Sequence, residues 1–491
     1  MIVAYKFVPA VRTCRCEKGL VIYMKKENLW LSYQNKDKEK LQTICERYKN
    51  CLNEGKTERE CIDLTIRMAK EAGYRDLADI LATNGKVSKG DKVYAVQMHK
   101  SIALFQIGEE PISSGMNILG AHIDSPRIDV KQNPLYEKEG FAYFDTHYYG
   151  GIKKYQWTAI PLSLHGRVAK KDGTMVDICL GEKEEDPIFV ITDLLIHLAG
   201  EQMGKKATEV VTGENLDLLI GNIPLEKDKD TDKEEKEAIK ANVLKLLADQ
   251  YGIEEEDFQS AELEIVPAGK ARDCGFDRSM VLSYGQDDRI CAFTSLFAML
   301  DAKCGSRTQC CLLVDKEEIG SVGATGMQSS FFANAVAELL AMTEGDSELL
   351  VRRALANSVM LSSDVSAGFD PLYANVFEKN NSAFLAQGVT FNKYTGSRGK
   401  SGSNDANAEY IAALRKVMDD ANVSYQFAEL GKVDAGGGGT IAYIMAKYGM
   451  NVIDSGVAVL NMHAPYEVSS KADIYEAVKG YLAFLNWNGK F

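Results

Sequence analysis

Short apolar runs, each closed by a polar group, recur along this chain with helical stretches between them. Asn117–Ala121 ends at His122, Cys310–Val314 at Asp315, Ser358–Ser363 at Asp364, and Ser455–Met462 at His463. Runs of this length, bounded by turn residues, read as buried strands. Apolar residues at helical spacing mark Asp288–Leu300, Phe332–Met342, Ala406–Ala421 and Thr440–Lys447 as helices. Earlier, Leu41, Ile44, Cys45, Tyr48, Cys51 and Leu52 predict one helix over 37–73, and strand-like pieces follow at Lys92–Gln97 and Ile102–Gln106. Alternating strand and helix predicts an α/β fold with a mostly parallel sheet.

Between Pro126 and Leu282 the pattern changes to short β-like stretches, glycines and turns, as in FAYFDTHYYGGIKKYQWTAIPLSLHGRV. This block reads as a second, β-rich domain inserted into the first. The expected organisation is therefore an N-terminal extension over 1–24, a catalytic domain in two parts over 25–126 and 283–491, and an insert over 127–282. The charged segment EKDKDTDKEEKEAIK is a solvated loop leading into a helix.

Composition changes this picture little. The 491 residues carry a net charge of -13 and no long basic cluster, which excludes nucleic acid as an expected partner. No apolar run approaches the length of a membrane span, so no membrane partner is expected. The start of the chain is broken by Lys6, Arg12 and Arg15 and lacks a secretory pattern, which points to the cytoplasm. The 11 cysteines form no repeated CxxC pairs and read as free thiols.

The polar groups closing the strands carry the chemistry. In open α/β sheets, ligands and catalytic groups gather at the carboxyl ends of the strands. Singly, each residue has a plain alternative: a histidine satisfied in the core, an acid capping a helix, an EE pair on a solvated face. His99, His147, His165 and His197 take that plain reading. Together, His122 with Asp124, Asp287, Glu317 with Glu318, Asp364 and His463 make an inventory of two imidazoles and several acids. That inventory suits two zinc ions bridged by one carboxylate. His122, Asp364 and bridging Asp287 would take one ion, and Glu318, His463 and Asp287 the other, with Co²⁺ or Mn²⁺ able to substitute. Glu317 would serve as the general base. Asp124 would accept the second imidazole N–H of His122. The glycine run containing Gly437, Gly438 and Gly439 reads as a loop lining the site, a candidate for substrate binding.

These motifs resemble the family of aspartyl aminopeptidase and vacuolar aminopeptidase I, dinuclear zinc exopeptidases. The matching strings are GAHIDSPRIDVK, QDDRICAF, DKEEIGSVGATGMQSSF, DVSAGFDPLY, GGGGTI and NMHAPYEV. The resemblance implies a peptide substrate and hydrolysis at its N-terminal residue. It also implies that the insert is a dimerisation domain and that the homo-oligomer is a dodecamer built from dimers. This chain departs from the family in carrying Asp288 where asparagine is common, and Asp370 and Asp193 where the aspartyl branch carries histidines. With Asp370 expected near the substrate pocket and Lys393 or Arg398 the nearest candidate cations, neutral, apolar N-terminal residues are expected to be preferred over acidic ones. Rival readings are an aspartyl- or glutamyl-specific aminopeptidase, a deacylase, dipeptidase or carboxypeptidase on the same site, and a self-assembling shell or cargo receptor with a vestigial site.

Overall fold

The computed structural model describes residues 27–226 and 236–490. The expected extension over 1–24 lies outside the described residues. A nine-stranded mixed sheet forms the centre. Four neighbouring strands in it run parallel: Thr308–Val314, Met116–His122, Val359–Ser363 and Asn451–Gly456. Antiparallel strands extend it on either side, with Ser101–Gln106 next to Thr308–Val314 and Val389–Asn392 next to Asn451–Gly456. Alternate side chains feed two cores, as the two-residue period of a strand requires. Leu119, Ala121, Cys311, Leu313 and Leu361 pack beneath the helices Gln286–Asp301 and Lys471–Leu485. Ile118, Cys310, Leu312 and Met360 pack on the other face against Phe331–Thr343. Both faces are covered, which explains why these strands read as unbroken apolar runs.

Two expectations are corrected. The helix predicted over 37–73 is two helices, Asn35–Glu54 and Glu58–Glu71. The break is local chemistry. Thr57 Oγ1 accepts the Glu60 N–H at 3.3 Å, and the Glu60 carboxylate accepts the Thr57 N–H at 3.0 Å. This capping box starts a new helix just after Gly55. The strand predicted over 455–462 is also divided. Asn451–Gly456 belongs to the central sheet, while Ala458–Leu460 joins a separate five-stranded sheet. At the crossover the backbones nearly touch: a Cβ on Gly456 would lie 1.8 Å from the Asp364 carbonyl oxygen. Only glycine permits that approach.

The residues between Pro126 and Leu282 build mainly an antiparallel six-stranded sheet. Its order is Met175–Leu180, Leu162–Ala169, Ala261–Pro267, Arg127–Lys138, Phe141–Tyr149 and Leu218–Gly221. A third core, containing Trp157, Phe258 and Ile265, lies between this sheet and the elements that cover it. The last strands of this stretch, Arg272–Cys274 and Met280–Ser283, sit in the five-stranded sheet, where Met280–Ser283 pairs with Glu467–Ser470.

Candidate metal centre

Three parallel strands deliver side chains to one edge of the central sheet. His122 is the final residue of Met116–His122. Glu317 and Glu318 open the 3-10 turn that follows Thr308–Val314. Asp364 follows Val359–Ser363, its N–H donating to the Ser455 carbonyl at 2.8 Å. Asp287 comes from the start of the helix Gln286–Asp301, where its peptide bond to Asp288 is cis. His463 arrives differently from the sequence expectation. It lies in the turn between Ala458–Leu460 and Glu467–Ser470, with a left-handed φ of 65°.

The geometry is centred on Asp287. Its Oδ1 lies 3.4 Å from His122 Nε2, and its Oδ2 lies 3.2 Å from His463 Nε2. Each imidazole has a second carboxylate nearby: Asp364 Oδ1 at 4.0 Å from His122, and Glu318 Oε2 at 3.5 Å from His463. Two ligand-capable groups result, His122 with Asp287 and Asp364, and Asp287 with Glu318 and His463. Glu317 Oε2 lies 4.0 Å from His122 Nε2.

The remaining ring nitrogens face oxygen. His122 Nδ1 is 3.0 Å from the Asp124 carbonyl and 3.2 Å from its Oδ1. His463 Nδ1 is 2.8 Å from the Gly151 carbonyl. A hydrogen on each Nδ1 leaves each Nε2 lone pair aimed at the acids, the tautomer a metal needs. Asp124 also accepts the backbone N–H groups of Glu317 and Glu318, at 3.1 and 3.2 Å.

Electrostatics mark the cluster as a cation site. Burial pushes Glu318 and Asp364 well above the usual carboxylate range, and Glu317 up to about 7. Burial also raises Asp287, but hydrogen bonds from His122 and His463 outweigh it and hold that carboxyl low. Burial disfavours charge on the imidazoles; contacts with Asp124 and Asp287 still hold His122 high, and Asp287 chiefly holds His463 at about 10. The Glu318 Oε1 atom is buried without a hydrogen-bond partner. Mixed nitrogen and oxygen donors, clustered acids and this orphaned oxygen fit divalent zinc, which would take the place of the protons.

The centre opens into a cavity of about 500 Å³. Gly437, Gly438 and Gly439 line it, with Thr440, Val365, Leu430, Tyr443 and Met462. Its acids are Asp287, Glu317, Glu318 and Asp364, and among the described residues its lining contains no lysine or arginine. Asp370, Lys393 and Arg398 are not in that lining. The Asp370 carboxylate instead caps the 3-10 helix Pro371–Val376, accepting the Leu372 N–H at 2.9 Å, so the expected repulsion of acidic substrates cannot rest on it.

A family model described as Aminopeptidase I zinc metalloprotease (M18) matches residues 51–485. The chain belongs to the M18 family. A probable M18 family aminopeptidase 1 from Clostridium acetobutylicum is 59% identical over 460 residues, covering 94% of this chain and 98% of that one. Its counterpart from Thermotoga maritima is 45% identical over 463 residues, covering 94% and 99%. Among solved structures, aminopeptidase I from Clostridium acetobutylicum matches with a TM-score of 0.88 at 58% identity, covering 94% of this chain and 100% of that one. The M18 aminopeptidase from Thermotoga maritima matches at 0.89 and 45%, covering 94% and 99%. Membership makes this chain a metalloaminopeptidase of the zinc class.

Several residues of this M18 site escaped sequence reasoning. Glu467 is buried and accepts the backbone N–H groups of Asp287, at 3.0 Å, and His463, at 2.8 Å. Ser125 Oγ donates to the Asp287 carbonyl at 2.6 Å. Tyr149 and Gly151 reach the site from the six-stranded sheet and the turn after it. Glu467 had one available signal, an acid four residues beyond His463 inside NMHAPYEV. A third cluster, Glu60, His165 and Cys179, lies apart from this centre. There His165 sits between Glu60 at 2.7 Å and Glu182 at 3.1 Å, and Lys56 reaches Glu182 at 2.6 Å. These charges already balance, and they tie the helix Glu58–Glu71 to the six-stranded sheet.

Proposed function

We propose that this M18 enzyme is a dinuclear aminopeptidase that releases neutral, apolar N-terminal residues from peptides. One observation carries the dinuclear reading: Asp287 turns one oxygen toward each imidazole, at 3.4 and 3.2 Å, and each imidazole has its own further carboxylate. His122, Asp287 and Asp364 would hold one zinc ion, and Asp287, Glu318 and His463 the other. When bound, such a pair polarises the scissile carbonyl and acidifies water. Glu317 lines the cavity and takes a proton from the attacking water on its carboxylate, then returns it to the leaving amine. Asp124 fixes the ring of His122 and, through two backbone N–H groups, the turn carrying both glutamates. The glycines 437–439 present backbone alone, which lets a peptide approach closely.

The preference for neutral residues rests on the lining. Burying a substrate carboxylate without a cationic partner is costly. Among the described residues the lining offers Val365, Leu430 and Met462 and no lysine or arginine, and its one imidazole, His463, is assigned to the metal. The reading extends to a homo-oligomer, with the six-stranded sheet's domain as its dimerisation unit and a dodecamer as its full assembly. Leu194, Leu195, Ile196, Leu198 and Met203 form an exposed apolar strip there, the kind of surface a second copy covers. A solved yeast mApe1 structure of the same fold is a dodecamer. Free cysteines at nine described positions suit the reducing cytoplasm. Among the described residues, no helix is long and apolar enough to cross a membrane.

The test is hydrolysis of leucyl and aspartyl tripeptides by protein reconstituted to a measured zinc content. Activity should need two ions per subunit by elemental analysis, and kcat/KM should favour the leucyl substrate. A clear aspartyl advantage defeats the specificity; full activity with one ion or none defeats the dinuclear reading.

A further inference from the structure

Asp124 is fully buried and serves four partners. Its Oδ1 faces His122 Nδ1 and the Glu317 N–H, and its Oδ2 accepts the Glu318 N–H. The fourth partner comes from the insert: Tyr149 donates its hydroxyl to Asp124 Oδ2 at 2.9 Å. Tyr149 closes the strand Phe141–Tyr149, and its ring lies 3.9 Å beneath the Arg127 guanidinium. Arg127 is itself held by Asp129 at 2.7 Å and by Glu58 and Glu264, each at 3.2 Å. Two residues beyond Tyr149, the Gly151 carbonyl meets His463 Nδ1. Gly150, between them, packs against Glu318, to which a Cβ would come within 3.4 Å.

We propose that Tyr149 is a positioning residue of the M18 reaction, holding Asp124 so that His122 and the Glu317–Glu318 turn stay in register. The inference rests on the metal reading above. A carboxylate that serves four donors keeps its orientation only while each donor is in place. Losing the hydroxyl frees Oδ2 to rotate toward the Glu318 N–H and away from the plane that serves His122. Residues that orient a metal ligand typically change metal affinity or activity by about 10–100-fold when altered. The ring of Tyr149, by contrast, is held by packing under Arg127, so removing the hydroxyl alone leaves the fold in place.

The experiment compares the full chain with Tyr149→Phe, using Tyr148→Phe as a neighbouring control. Zinc is titrated against a chelator of known affinity, and kcat and KM are measured on a leucyl peptide. Zinc should bind about 10–100-fold more weakly to Tyr149→Phe, with kcat lowered by a similar factor at saturating zinc and KM changed less than about twofold. Zinc-free Tyr149→Phe should still unfold cooperatively, with its thermal midpoint lowered by no more than about a few degrees. Zinc affinity and kcat equal to the parent overturn the proposal. So does a Tyr149→Phe chain that fails to fold without zinc, because the role would then be structural. If the parent itself binds no zinc, the metal reading fails instead, and the comparison of variants separates the two cases.

Discussion

Replacing Glu317 with glutamine isolates proton transfer from metal binding. The carboxylate lines the cavity, 4.0 Å from His122 Nε2, and belongs to neither of the two ligand-capable groups. What anchors this residue is its backbone N–H on Asp124, which Glu317→Gln leaves intact. The side chain keeps its volume, and burial already disfavours its charge, so the metal-free chain should not be destabilised. What disappears is a proton acceptor. A positioned general base contributes roughly 10²–10⁴-fold, which at about 1.4 kcal/mol per decade is about 3–6 kcal/mol of barrier. The variant should therefore bind both zinc ions and lose that factor in kcat, with KM little changed. The assay is steady-state hydrolysis of a leucyl peptide alongside elemental analysis of the same sample. Near-normal kcat with full zinc content refutes the assignment of Glu317 as base.

Further outcomes follow from the same geometry. Asp287→Ala should lose both ions, because its two oxygens face both imidazoles, whereas Asp288→Asn should keep them; elemental analysis of each variant checks this, and loss only in the Asp288 variant would move the bridge by one residue. A strong chelator should abolish activity, and Zn²⁺, Co²⁺ or Mn²⁺ should restore it, since a site of imidazoles and carboxylates accepts several divalent ions; a rate unchanged in metal-free protein would reject the mechanism. Gly456→Ala should destabilise by more than about 3 kcal/mol, because its Cβ would meet the Asp364 carbonyl at 1.8 Å; chemical denaturation measures it, and a parent-like midpoint would show that the crossover can relax.

The sequence revealed most where chemistry and periodicity coincide. His122 closes a strand buried on both faces, Asp364 follows one, and Glu317 and Glu318 come shortly after a third, so apolar runs closed by polar groups were enough to bring them together as candidates. Asp287 was legible as the acid before a helix. His463 was legible as a residue but not in its setting, because Ser455–Met462 reads as one strand while Gly456 sends the chain into another sheet. The break between the first two helices turned on one capping box, a local contest that helical periodicity does not register. Tyr149 and Gly151 were silent for a different reason. Each makes its contact with a residue on another element, and nothing local distinguishes a tyrosine that closes a strand from one that also donates to a buried carboxylate.

The spread of the candidate ligands along the chain has a consequence for the cell that makes this protein. His122 and His463 are separated by 463 − 122 = 341 residues, and Asp287 must meet both. Contacts this distant form late, since the intervening chain must first be ordered. On the proposed ligand set, a nascent chain carries no complete centre until the strands flanking His463 have emerged from the ribosome and docked. A product truncated before His463 likewise lacks one imidazole of the pair and should not cleave peptides.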